Sequence, residues 1–397
     1  MGIDWLLEAD KISKDIVAIR RYLHMNPELG FEEHLTSEFV EKTLHDIGIK
    51  TKRVAGTGII GILTGRDLGK TVGLRADMDA LPLNDGKNVE YASKVKGKMH
   101  ACGHDAHTAG LLGAAMLLAK HRESFIGQVK FLFQPAEETT GGALPMIKEG
   151  AMENPKVNAV FGLHCNAGLN TGKIGVIYGK AYASSDMFDI KIKGKSCHGA
   201  SPQFGIDAIA VGAQVINCLQ SIVSRSIDPL DSAVITVGKF NGGYQRNIIA
   251  DTANLSGIIR TLEPETRKKI RNNFAKMVNK ICEAYGAQAD INIVESYPAL
   301  VNDDKMVDLV RAAASKLIGE QNVVVVSKPG MGVEDFAYFL KEAPGAFFQL
   351  GVRNEAKGIV HPAHSNLFDI DEDALPLASA VLANIAFEYL MGNLNRS

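Results

Sequence analysis

Short apolar runs alternate with amphipathic helical stretches along this chain, and that alternation restricts its fold more than any other feature. "GIIGILTG", "TVGLRAD", "VKFLFQ", "AVFGLH" and, far downstream, "GAFFQLGV" are too short for buried helices and too apolar for exposed strands. They read as strands buried on both faces. Between them the period changes. In "ISKDIVAIRRYLH", Ile12, Ile16, Ile19 and Leu23 share one helical face, and "NPELG" stops the helix with Pro27 and Gly30. "SEFVEKTLHDIGI" is a second amphipathic helix that ends at Gly48. The fold class predicted is α/β, a mainly parallel sheet with helices on both faces.

The texture changes near residue 185. "MFDIKIKG" alternates Phe188, Ile190 and Ile192 with polar neighbours, the pattern of a half-buried strand. Then follow a helix in "GIDAIAVGAQVINCLQSIVSR", strands in "SAVITVGKF" and "TANLSGIIRTL", a long amphipathic helix in "EPETRKKIRNNFAKMVNKICEAYG" and a strand in "AQADINIVESY". The order β-α-β-β-α-β is the split βαβ, or ferredoxin-like, pattern. We therefore expect an α+β domain over 185–296 inserted into a first domain made of 1–184 and 297–397.

Composition narrows the function. The chain has 397 residues, enough for two domains, with Lys+Arg at 43 against Asp+Glu at 45. No basic stripe marks a nucleic-acid partner. No apolar run approaches the ~20 residues that span a bilayer, and the first residues lack a basic and then apolar secretion signal. Leu6 stands where a myristoylation motif wants Ser or Thr. Five cysteines, Cys102, Cys165, Cys197, Cys218 and Cys282, form no disulfide framework. The expectation is a reduced, cytoplasmic protein with a small-molecule substrate.

Polar residues collect where the strand runs stop. Asp77 and Asp79 follow "TVGLR", Glu137 and Glu138 follow "VKFLFQPA", and His164 closes "AVFGLH". In open α/β sheets ligands bind beyond the carboxyl ends of strands. "MHACGHDAHTAG", residues 99–110, adds one cysteine, three histidines and an aspartate ahead of an apolar helix. Each cluster alone has an ordinary explanation in turns and caps. Together they supply what a dinuclear hydrolase needs: several ligands per ion, and one carboxylate left over as a base. Glu138 can ligate while the adjacent Glu137, pointing elsewhere, handles a proton. A thiolate beside imidazoles favours Zn²⁺ or a similar borderline ion. His24, His34, His45 and His121 stand in charged helical surroundings and are expected to be exposed.

"RADMDALPL", "MHACGHDAHTAG", "FLFQPAEE", "GLH", "SCHGASP" and "MGVEDF", in this order, resemble the M20 metallopeptidases. The nearest branch is that of aminoacylase-like amidohydrolases, with hippurate, N-acetyldiaminopimelate and auxin-conjugate hydrolases. The resemblance extends from "RRYLHMNPELGFEE" to "HPAHSNLFDI". It implies a dinuclear-zinc-peptidase-like catalytic domain with an inserted lid domain that dimerises. It also implies two divalent ions per chain, with Zn²⁺ foremost and Mn²⁺, Co²⁺ or Ni²⁺ as alternatives. Cys102, His104, Glu138, His164 and His364 match the branch's metal ligands, and Glu137 matches the general base. Asp77 and Asp79 occupy the strand-end motif, where the wider family carries His-x-Asp, and are expected to serve catalysis. His198 matches a lid histidine that polarises the scissile carbonyl. Asn247 and Arg260 match lid positions that hold the substrate's carboxylate end. One stretch, "NDGKNVEYASK", departs from the branch and is expected to alter the rim of the pocket.

The activity expected is metal-dependent hydrolysis of N-acyl amino acids, acetyl or aryl-acyl, to a carboxylate and a free amino acid, with Glu137 taking a proton from water. A dipeptidase, a carboxypeptidase or an N-acetyldiaminopimelate deacetylase would use the same site. A binding module that kept the fold but lost the chemistry would lack Glu137 or a ligand, and none is missing. The expected assembly is a homodimer or a higher homo-oligomer.

Overall fold

A computed structural model describes residues 2–392. The chain forms two compact units. One runs to Ala181 and includes Val301–Lys328 and the chain from Asp335 onward; the other is Tyr182–Leu300 with Pro329–Glu334.

The first unit is built on an eight-stranded mixed sheet. Its centre is parallel: Thr71–Asp77 lies between Gln128–Gln134 and Ala159–Asn170, and Gly345–Arg353 pairs beyond the latter. Antiparallel strands Gly58–Thr64 and Lys50–Val54 extend one side. Side-chain alternation divides the two faces of the sheet. Val72, Leu74, Phe131, Phe133, Phe161, Leu163, Phe348 and Leu350 enter one large core. In that core helices His104–Lys120 and Ala374–Leu390 pack on each other and on Thr71–Asp77. The opposite face is buried too. There Arg75 lies against the rings of Phe336 and Phe347, with its guanidinium bonded to Asp77, Gln134 and Asp335. A sheet covered on both sides explains why its strands read as continuous apolar runs. The register pairs Asp77 with Gln134, so both strands end at one edge.

His164 requires a correction. The strand does not close there but continues to Asn170, because Gly345–Arg353 keeps pairing with it. His164 still stands at the working edge: the ladder to Thr71–Asp77 reaches Arg75 opposite Gly162, two residues before both Asp77 and His164.

The second unit follows the expected β-α-β-β-α-β order: Ser184–Lys193, Ala208–Ser221, Ala233–Gly242, Thr252–Thr261, Pro264–Ala284 and Gln288–Glu295. Its antiparallel sheet places the last strand beside the first, then the third, then the second. Phe188, Ile190 and Ile192, the inward half of the alternating strand, meet Val211, Val215, Leu219, Phe274 and Val278 from the two helices. Phe188 and Phe274 pack with ring centroids 4.6 Å apart. Phe274→Ala should therefore weaken this unit by about 3–5 kcal/mol. A lower urea midpoint for a probe in 182–300 would show it; an unchanged midpoint would mean that this core does not carry the unit.

Candidate metal centre

Five segments converge at the carboxyl edge of the central strands, one of them the strand that bears His164. Asp77 is the last residue of its strand, and Asp79 lies two residues beyond. Gln128–Gln134 runs out through Pro135 to Ala136, a left-handed residue at φ 56°, and then to Glu137 and Glu138. His104 opens the helix that follows Cys102 and Gly103. Gly103 has φ 93°, and a side chain there would stand 3.0 Å from Cys165 Cβ, so only glycine fits between Cys102 and His104. His364 is also left-handed, at φ 65°, and its N–H donates to Ala101 O at 2.7 Å.

Among the groups of donor atoms that result, two contain Cys102. Cys102, His104 and His164 form one; Cys102, Glu138 and His364 form the other; within each, the donor atoms lie within 4.8 Å of one another. Cys102 belongs to both and is the natural bridge. His164 Nε2 is 3.3 Å from Cys102 Sγ, and His364 Nε2 is 3.1 Å from Glu138 Oε1. The other nitrogens fix the imidazoles. His104 Nδ1 donates to the carbonyl of Asp79 at 2.9 Å and His164 Nδ1 to that of Cys165 at 2.8 Å, so both Nε2 atoms face the group.

The donor set fits a pair of cations. His104 Nε2 is buried without a hydrogen-bond partner, an expensive arrangement unless a cation meets it. Burial and the carboxylates of Glu138 and Glu137 push the Cys102 thiol well up. A bound cation reverses that preference and keeps a thiolate. Burial opposes charge on His104, yet Asp77, Asp79 and Glu138 raise it to about 10. Glu138 is held below the usual carboxylate range by His364 and His104 against its burial.

Asp77 and Asp79 bond to the residues around these groups. Asp79 Oδ1 accepts from Glu137 N and Oδ2 from Glu138 N, each at 3.0 Å. Asp77 accepts from Arg75 at 2.8 Å and from His107 Nδ1 at 2.6 Å. His107 Nε2 accepts from Cys165 N at 2.8 Å. Both nitrogens of His107 are thus engaged, which leaves this third histidine of the motif without a free lone pair for a metal.

Sequence reasoning missed His107 and misplaced His24. His24 is not exposed but wholly buried, 2.7 Å from Asp105 and 3.1 Å from Asp85. Arg20 beside it bonds Asp105 and Asp369, each at 2.8 Å. The helical-face pattern marked Ile16, Ile19 and Leu23, and nothing in it singles out charged residues one step away. His34 and His45 are exposed as expected; His121 is half-buried against Trp5 and Glu8.

The second unit carries the remaining candidates. His198 pairs with Ile248 in an isolated bridge, and Gly199 N donates to Asn247 O at 2.8 Å, so His198 and Asn247 are neighbours. Ala200 N donates to His198 Nδ1 at 3.0 Å. The ring proton therefore sits on Nε2, a free donor on an exposed side chain. Arg260 is not with them. It pairs with Ser185 and Val234 at the far end of Thr252–Thr261. His198 lies beyond the Thr252 end, eight residues or ~27 Å along the ladder. Arg260 Nη1 is buried without a hydrogen-bond partner, and burial lowers the guanidinium's affinity for its proton.

A two-face-covered α/β sheet with paired donor groups at its carboxyl edge, and a split-βαβ unit inserted, defines a metallohydrolase of the dinuclear peptidase class. Residues 73–388 match Peptidase family M20/M25/M40, and the chain belongs to that family. It is 41% identical over 387 residues to thermostable carboxypeptidase 2 of Saccharolobus solfataricus, covering 96% of this chain and 97% of that one. To N-acetyl-L-cysteine deacetylase of Bacillus subtilis it is 40% identical over 383 residues, covering 96% and 90%. A dinuclear metal-binding peptidase of the M20 family from Bacillus subtilis superposes with a TM-score of 0.84 at 35% identity, covering 96% of this chain and 99% of that one. The chain is accordingly a hydrolase of amide bonds.

The shared position of Cys102 makes a graded prediction. Metal analysis of purified protein reconstituted with Zn²⁺ should find two ions per chain; His364→Ala should keep one and Cys102→Ala should lose both. Equal retention in the two variants would contradict a bridging thiolate.

Proposed function

We propose that this protein hydrolyses N-acyl amino acids, and the adjacent pair Glu137–Glu138 carries that reading. Asp79 receives the backbone N–H of both residues, which fixes their directions. Glu138 joins the Cys102–His364 group, while Glu137, nearly buried, borders His104 and Glu138. One carboxylate can bind while the next moves a proton. Two divalent ions held by Cys102, His104, Glu138, His164 and His364 would acidify water and polarise an amide carbonyl. Glu137 would take the proton from water and deliver it to the leaving nitrogen. His198 Nε2–H suits a donor to the developing oxyanion, and the Arg260 guanidinium suits the carboxylate of the amino-acid half. Zn²⁺ suits the thiolate and imidazole donors best. Reduced thiols suit a cytoplasmic enzyme.

His198 with Asn247 and Arg260 occupy opposite ends of one sheet. A single copy of that unit would not bring them to one substrate, so we infer that a dimer supplies them from two chains. The relative named a carboxypeptidase favours a second reading, cleavage of a C-terminal residue, since Arg260 would serve that carboxylate equally well.

A panel of acetyl-, benzoyl- and peptidyl-amino acids separates the readings: kcat/KM highest for an acyl substrate supports the first, and highest for a peptide the second. On the best substrate, Glu137→Gln should lower kcat about 10²–10⁴-fold with metal retained. Near-normal turnover would remove Glu137 as the proton carrier. His198→Ala should cost about 10²–10³ in kcat. Mixing His198→Ala with Glu137→Gln chains should then restore part of the activity if the histidine crosses between copies. No recovery after verified subunit exchange would place His198 at its own chain's site.

A further inference from the structure

The turn that carries Glu137 is held by a second buried carboxylate that no step above uses. Glu33 is fully buried. Its Oε1 accepts from Ala136 N at 2.8 Å, and its Oε2 accepts from Thr57 Oγ1 at 2.6 Å. Three consecutive backbone N–H groups, those of Ala136, Glu137 and Glu138, thus point into the carboxylates of Glu33 and Asp79. The first belongs to the left-handed residue, whose conformation is unfavourable for a side chain and persists only where its surroundings impose it.

Glu33 is the residue that leads into helix His34–Asp46, where a carboxylate commonly caps. Its side chain does not cap. Glu28 does so instead, accepting from Leu35 N at 3.1 Å and Thr36 N at 2.8 Å. The Glu33 backbone is meanwhile pinned by the helix, its carbonyl accepting from Ser37 N at 2.9 Å and Ser37 Oγ at 2.6 Å. The side chain is therefore a short arm on a fixed base, reaching to the turn ahead of Glu137. Gly30 closes the same contact: a side chain there would lie 2.9 Å from Ala136 Cα and 2.7 Å from Thr139 Oγ1.

We infer that Glu33 is a positioning residue: by holding Ala136 N–H it sets the direction of Glu137, and the turnover of this enzyme depends on its reach rather than on its charge. This rests on the reading of Glu137 as the proton carrier. Two conservative variants separate reach from charge. Glu33→Gln keeps the reach, with an amide oxygen for Ala136 N–H and an amide NH₂ for Thr57 Oγ1. Glu33→Asp keeps the charge and loses one methylene of reach.

Steady-state kinetics, zinc content and thermal midpoints of the full chain test it. Glu33→Asp should lower kcat about 10–100-fold, the scale of an ångström's misplacement, with KM within threefold and two zinc ions retained. Glu33→Gln should stay within about threefold of the parent in kcat. In a Glu137→Gln background Glu33→Asp should cost less than threefold more, because the group it positions is already disabled. Loss in Glu33→Gln equal to or greater than that in Glu33→Asp would overturn the assignment, as would a full, additive loss on top of Glu137→Gln. Glu33→Asp at parental kcat beside an inactive Glu137→Gln would overturn Glu33 alone. A fully active Glu137→Gln would instead sink the reading of Glu137.

Discussion

The carboxylate of Asp79 ties together the three segments on which the site depends. Its two oxygens take the N–H groups of Glu137 and Glu138, and its own carbonyl takes His104 Nδ1–H. One residue past the end of a strand thus joins the turn after a neighbouring strand to the first residue of a helix. It is 1% exposed. In that low-dielectric setting hydrogen bonds to a charged acceptor are stronger than in water, and each unmet one is costly. Losing the Asp79 carboxylate would free two adjacent backbone donors together, while the backbone carbonyl of residue 79 kept its bond to His104. That is why a residue that resembles an ordinary turn aspartate when read alone becomes the centre of the site once its partners are known.

A second layer of buried charge stands behind it. Arg20 is wholly buried, yet its guanidinium is held protonated because Asp105, Asp369 and Glu372 outweigh its loss of hydration. Asp105 lies next to His104 in sequence, and Asp369 lies on the segment that follows His364, so one fork-shaped cation couples the two sides of the metal centre. The atypical stretch "NDGKNVEYASK" works in the same place. Gly86 N donates to Asn366 O at 2.8 Å, Lys87 Nζ to Phe368 O at 2.8 Å, and Tyr91 Oη to Asp369 at 2.7 Å. These bonds clamp the stretch to the segment that bears His364. Buried ion pairs of this kind add little net stability against apolar residues of the same shape, but removing one partner leaves a stranded charge. Their contribution here is geometric.

The sequence was legible where a pattern is local. Strands covered on both faces announce themselves as apolar runs, and the inserted unit does so by switching to strict alternation at Phe188, Ile190 and Ile192. The candidate ligands stand out as a set because Cys102 and His104 lie in one dense motif, and Glu138 and His164 follow or close apolar runs. His24 and His107 do not. What removes His24 from solvent is Asp105, 81 residues away, and what engages His107 is Asp77, 30 residues away. Neither pairing leaves a trace in local periodicity. The separation of Arg260 from His198 was equally hidden, since only the register of Thr252–Thr261 against Ser184–Lys193 shows that they face opposite ends.

Part of the backbone strain lies beside the candidate site. Among the described residues, left-handed side-chain-bearing positions include Phe31, Ala136 and His364. Each such residue costs on the order of 1–2 kcal/mol. Ala136 sits directly before the glutamate pair, His364 is itself a candidate ligand, and Phe31 is two residues before Glu33. A regular strand or helix continued through residue 136 would carry Glu137 and Glu138 onward along its own axis. The left-handed step turns the chain so that both their N–H groups reach one carboxylate. Glu33 and Asp79 hold that step through three hydrogen bonds to buried carboxyl oxygens, each worth on the order of 1 kcal/mol in proteins generally. Together those bonds offset the strain, and this is how the turn stays fixed without a glycine. A glycine at 136 would relieve the strain and also widen the range of conformations open to the turn. Holding an unfavourable residue by buried carboxylates gives one direction to each glutamate, the distinction that the proposed roles of Glu137 and Glu138 require.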